Sequence, residues 1–72
     1  MSLEESVSIR VNGEHRRVPG GTSVADMVDL LGLDPRRVAV ERNLAVIARS
    51  TLGQVCVEDG DDYEIVHFVG GG

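Results

Sequence analysis

Few residue types in this chain are able to do chemistry, and they are scattered. There is one cysteine, Cys56, there are two histidines, His15 and His67, and there is an acidic run of Glu58, Asp59, Asp61, Asp62 and Glu64. Nucleophilic catalysis needs a thiol or hydroxyl beside a base that a third group orients. Cys56 instead lies between Val55 and Val57, the setting of a buried, inert thiol. Neither histidine has a carboxylate constellation around it, so both read as ordinary strand residues. A lone cysteine with two histidines has no structural-zinc spacing, and a lone cysteine closes no internal disulfide. A phosphate-gripping loop needs a lysine, and the chain has none, so Pro19-Gly20-Gly21-Thr22-Ser23 reads as a turn and a helix cap. The acidic run reads as a solvated turn, with steering toward a basic partner as its functional alternative. No metal site and no enzyme active site is expected.

What remains is the C-terminus, Gly70-Gly71-Gly72. Without Cβ atoms such an arm runs extended or takes positive φ, and it fits a narrow channel in which its backbone lies close to another protein's nucleotide. It presents the carboxylate of Gly72. A carboxylate is a weak electrophile, and making it reactive means converting it to a mixed anhydride such as an acyl-adenylate. With no phosphate loop here, that step belongs to a separate ATP-using enzyme. The plain alternative is a frayed end or an expression remnant.

The elements that must position this arm belong to one small acidic domain. The chain has 72 residues, seven arginines, no lysine and twelve acidic residues, for a formal charge of −5. A chain this short hides only roughly 60% of its unfolded surface, too little to enclose a large cavity. The longest apolar run, Leu44 to Ala48, is far below the roughly 20 residues of a membrane span. Met1 to Ser6 is a polar lead without the regions of a secretion signal, so a cytoplasmic location is expected. Negative net charge opposes nucleic-acid binding, and the pairs Arg16-Arg17 and Arg36-Arg37 are too sparse to offset it.

Val7, Ile9 and Val11 alternate with polar residues and meet Asn12-Gly13, the signature of a type I′ hairpin, with a return strand from about Glu14 to Val18. After Pro19-Gly20-Gly21, Thr22 or Ser23 caps a helix whose stripe is Val24, Met27, Val28 and Leu31, stopped by Gly32 and Asp34-Pro35. Val38-Ala39-Val40 and Leu44 to Ile47 read as strands around a turn at Arg42-Asn43. Ser50 to Gln54 reads as a turn or short helical loop, and Tyr63 to Val69 as the last strand. The predicted architecture is α+β, a mixed four- to five-stranded sheet packed on one main helix, in a single domain over 1–72 with a flexible tail at 70–72. If Tyr63 and Ile65 face the helix, pleat alternation turns Val66 and Phe68 to the uncovered face.

Three stretches together resemble the thiamine-biosynthesis sulfur carrier family ThiS. They are Val11-Asn12-Gly13-Glu14, Val38-Ala39-Val40-Glu41-Arg42-Asn43, and Asp59-Gly60-Asp61 followed by Ile65-Val66-His67-Phe68-Val69-Gly70-Gly71-Gly72. The likeness runs from Val7 to Gly72 and implies a ubiquitin-like β-grasp fold. It also implies that Gly72 is adenylated by an E1-like enzyme of ThiF type. A sulfur donor such as a cysteine desulfurase then converts it to a thiocarboxylate, whose sulfur passes to a thiazole synthase of ThiG type. On that reading Gly70 and Gly71 form the arm entering the partner's active site, and Val66 and Phe68 are the partner-docking residues. No cofactor is bound by the carrier itself, and ATP is used by the activating enzyme. The lack of lysine would spare the activated terminus from capture by a side-chain amine. The alternatives are a sibling carrier for molybdenum cofactor, cysteine or another sulfur metabolite, and a β-grasp interaction module that never uses its terminus.

Overall fold

A computed structural model describes residues 5–68 of the chain. The chain opens with an antiparallel hairpin of β1 (Ser6–Val11) and β2 (Glu14–Pro19), in register Val11↔Glu14. The turn forms as expected. Asn12 has φ 52° and Gly13 φ 84°, the two left-handed conformations that a type I′ turn requires.

Helix α1 (Val24–Leu30) follows, about two turns long. The Ser23 side chain accepts from the Asp26 amide at 3.0 Å, which satisfies one of the donors left open at a helix start. The far end is a Schellman closure. Gly32, at φ 82°, donates its amide to the Asp29 carbonyl at 2.9 Å, and the Leu33 amide reaches the Val28 carbonyl at 3.1 Å. Leu33 thereby folds back against the core. Asp34 then caps a single 3₁₀ turn, Pro35–Arg37, and the Arg36 guanidinium hydrogen-bonded to it holds its carboxyl below the usual range.

Strands β3 (Val38–Arg42), β4 (Ala45–Ile47) and β5 (Asp62–His67) complete one five-stranded sheet in the order β2-β1-β5-β3-β4. β5 runs parallel to β1 and antiparallel to β3, so the last strand lies in the middle of the sheet. The inner face carries Ile9, Val11, Val18, Val38, Val40, Tyr63 and Ile65, which share one core with Val24, Met27 and Val28 of the helix. Leu52, after a 3₁₀ turn at Arg49–Thr51, and Val57 close the end of that core.

Four local expectations are corrected. Ser6 belongs to β1 and not to a polar lead. The β3–β4 turn is Asn43-Leu44, at φ 51° and 74°, so Leu44 is a turn residue, 90% exposed, and β4 begins at Ala45. Leucine was assigned to the strand for its apolar character, whereas the tight reversal places it in a left-handed conformation. Cys56 is exposed and not buried: its backbone bridges to Ser23, with Val57 turned into the core in its stead. Asp61, read as part of a solvated turn, is buried at 6% exposure.

Candidate functional site

The C-terminal strand is the element that would deliver a terminal arm, and the sheet holds it from both sides. On one side β3 pairs with it through Val38↔His67, and the Phe68 amide donates to the Arg37 carbonyl at 2.9 Å. On the other side Arg10 and Asn12 donate their amides to the carbonyls of Asp61 and Tyr63, at 3.0 and 2.9 Å.

The loop leading into β5 is anchored by Asp61. Its carboxylate accepts from the Tyr63 hydroxyl at 2.7 Å, the Glu58 amide at 2.9 Å and the Asn43 side-chain amide at 3.2 Å, and Arg42 lies 3.6 Å away. Burial pushes this carboxyl up, but those donors and the Arg42 charge outweigh it, leaving Asp61 below the ordinary range. Burial, reinforced by the Asp61 hydrogen bond, raises the Tyr63 hydroxyl well above its ordinary value. The loop into β5 and the β3–β4 turn are therefore tied by one charge-assisted network.

Pleat alternation places the predicted docking residues as expected. Tyr63 and Ile65 are buried, while Val66 is 59% and Phe68 45% exposed. Val66 stands opposite Ala39, and the neighbouring row across the same face is Glu64, Glu41 and Val46. The outer face around the end of β5 is thus an apolar strip of Ala39, Val46, Val66 and Phe68 beside two carboxylates. The Arg49 guanidinium sits over the Phe68 ring, 5.5 Å from its centroid, a cation–π contact. Sequence reasoning missed Val46, Ala39 and Arg49. The alternation of Val38-Ala39-Val40 carried part of that signal, but the rest needed the β3–β4 register.

Gly70, Gly71 and Gly72, the predicted arm and reactive end, lie outside the described residues. His15 and His67 lie in strands as read, and the His15 Nε2 is 2.6 Å from the Ser8 hydroxyl. Among the described residues no group of three or more His, Cys, Asp or Glu side chains is placed to hold a metal ion. No helix among them is long and apolar enough to cross a membrane.

A mixed sheet of this order wrapped on one helix is the β-grasp, ubiquitin-like fold. The crystal structure of a ThiS thiamine-biosynthesis protein from Geobacter metallireducens superposes with a TM-score of 0.73 at 32% identity, over 92% of this chain and 100% of that one. The ThiS family model matches residues 9–72, and the chain belongs to that family. The sulfur carrier protein ThiS of Bacillus subtilis is 35% identical over 65 residues, covering 89% of this chain and 98% of its own length. Two thiazole synthases are more similar in sequence. That of Paramagnetospirillum magneticum is 48% identical over 62 residues, 86% of this chain, and that of Magnetococcus marinus 44% over 66 residues, 92% of this chain. The chain spans only 19% and 20% of their respective lengths.

Proposed function

We propose that this chain carries sulfur for assembly of the thiamine thiazole, as a thiocarboxylate on Gly72. The observation that carries the reading is the family match, which runs on past β5 through Gly72 itself. The carboxylate of Gly72 attacks the α-phosphorus of ATP on an E1-like enzyme of ThiF type, releasing pyrophosphate and giving the acyl-adenylate. Sulfide adds at the acyl carbon and expels AMP. Where the donor is a cysteine desulfurase, its persulfide makes the attack and AMP leaves; a thiol then cleaves the resulting acyl disulfide, freeing the thiocarboxylate and ending as a disulfide with the donor cysteine. The thiocarboxylate is more nucleophilic at sulfur than the carboxylate is at oxygen, and its tether keeps a reactive sulfide from diffusing away. A thiazole synthase of ThiG type takes the sulfur. The two thiazole synthase relatives favour this destination over a sibling sulfur pathway. The carrier is a cosubstrate, its chemistry is done by its partners, and we place the process in the cytoplasm.

Docking falls to the outer face at the end of β5. Val66 and Phe68 supply exposed apolar area where Gly70 and Gly71 would begin to enter a partner. Replacing Phe68 with Ser is expected to raise KM for the activating enzyme about tenfold with little change in thermal stability, since the ring is 45% exposed. Steady-state pyrophosphate release measures it, and unchanged kinetics would remove Phe68 from the docking surface.

The reading is tested by the intact mass of the chain after incubation with ATP, a ThiF-type enzyme and a sulfide source. Exchange of one oxygen for one sulfur, mapped to Gly72, is the expected result. No exchange, with an enzyme shown competent on another carrier, points instead to an interaction module.

A further inference from the structure

The backbone pairing of β1 with β5 ends at Val11↔Tyr63, because the chain turns away at Asn12-Gly13. The β5 residues beyond that point would then be held by β3 alone. The Asn12 side chain fills the gap. Its Oδ1 accepts from the Ile65 amide at 2.8 Å and its Nδ2 donates to the Ile65 carbonyl at 3.2 Å. One carboxamide thus satisfies both the N–H and the C=O of Ile65, which a continued parallel β1 would have bonded through two different residues, and the ladder is extended by a side chain. Asn12 contributes its backbone to the same strand as well, through the amide that reaches Tyr63.

Covalent geometry gives this clasp its importance. Gly72 follows Phe68 by four residues, a fully extended span of at most about 14 Å. With so short a reach, the place and direction in which β5 leaves the sheet set the root from which the terminus must reach the reacting group. A displacement near 1 Å at a reacting atom is enough to cost a large factor in rate, up to ~100-fold. Phe68 is pinned from the β3 side by the Arg37 carbonyl, and Ile65 from the β1 side by Asn12. The two clasps flank Val66 and His67 and together set the exit.

We infer that Asn12 is a positioning residue for the reactive terminus: by clasping Ile65 it aims the end of β5, and with it Gly72, into the activating enzyme's nucleotide site. The inference rests on the carrier reading above. Asn12 has two separable duties, since its left-handed backbone makes the hairpin turn and its carboxamide makes the clasp. Asn12→Gly keeps the first and removes the second, because glycine adopts positive φ freely. Asn12→Asp keeps the turn and the acceptor for the Ile65 amide but sets a carboxylate against the Ile65 carbonyl.

The test is ATP-dependent sulfur loading of the full chain by a ThiF-type enzyme, with kcat and KM separated, beside amide hydrogen exchange. Asn12→Gly is expected to lower kcat by ~10-fold with KM within ~2-fold of wild type, because Val66 and Phe68 still dock. Asn12→Asp is expected to fall between. In Asn12→Gly the Ile65 amide loses its acceptor and exchanges faster while the β1–β2 hairpin amides keep their protection, a pattern that general destabilisation does not produce; in Asn12→Asp, which keeps that acceptor, the Ile65 amide stays closer to wild type. Wild-type kcat in Asn12→Gly, or a loss confined to KM, overturns the inference and leaves the carrier reading standing. If Asn12→Gly does not fold, the same kcat and KM split in Asn12→Asp decides. A wild-type chain that is not loaded at all overturns the carrier reading, and this one with it.

Discussion

Adding a single alanine after Gly72 is expected to abolish sulfur loading while leaving the melting temperature unchanged. The reaction proposed for this chain consumes the terminal carboxylate, and an added residue moves that carboxylate one position outward and gives it a methyl group. In the proposed reaction Gly70 and Gly71 would approach a nucleotide closely because nothing projects from them, and an added alanine would bring a Cβ into that narrow channel. Stability is spared because the core residues all lie between Ile9 and Ile65. Intact mass after incubation with ATP, activating enzyme and sulfide reads the result, and its arithmetic discriminates. Loading at the terminus replaces one oxygen with one sulfur and leaves the rest of the chain unchanged in mass. An extended chain that still exchanges oxygen for sulfur would overturn the role of Gly72.

The second large effect concerns the scaffold. Asp61→Ala removes the acceptor of the Glu58 amide, the Asn43 carboxamide and the Tyr63 hydroxyl, and that tyrosine is fully buried. Buried donors left without partners cost about 1–3 kcal/mol each before relaxation, so a net loss of ~3 kcal/mol is expected. For a domain whose whole stability is roughly 4–10 kcal/mol, that lowers the melting temperature by roughly 12–24 °C. Calorimetry measures it, and a loss below ~1 kcal/mol would show that the network stores little of the stability.

The same pair bounds stability in pH. The Asp61 carboxyl is depressed by folding, so its contribution is present above the unfolded value of about 4 and is lost as pH falls through the lower folded value. The Tyr63 hydroxyl is raised by folding, so its contribution is present below the unfolded value of about 10 and is lost as pH rises toward the folded one. Asp61→Ala is expected to flatten the acid limb of a stability-against-pH curve.

Features made by neighbours in sequence were legible without the structure. Asn12-Gly13, the Ser23 cap and the Gly32 stop need only a few adjacent residues to determine their dihedral angles, and all three form as read. Val66 and Phe68 were found because a pleat alternates whatever lies beside it. Asp61 and Cys56 were misread for a common reason. Whether each is covered depends on segments distant in sequence, Arg42 and Asn43 for the one and Ser23 for the other. Leu44 shows the converse, since its apolar side chain suggested a strand where the reversal demanded a turn. The outer strip was only half visible because Val46 and Ala39 join Val66 through strand register, which composition does not encode. The Asn12 clasp is hidden for the same reason: its partner, Ile65, is 53 residues away.

The central position of β5 bears on how the molecule is made. The strand between β1 and β3 is the last of the five in sequence, so the sheet closes only after its four other strands have been synthesised. A product that terminates prematurely within β5 lacks the keystone of its sheet and forms no stable docking face.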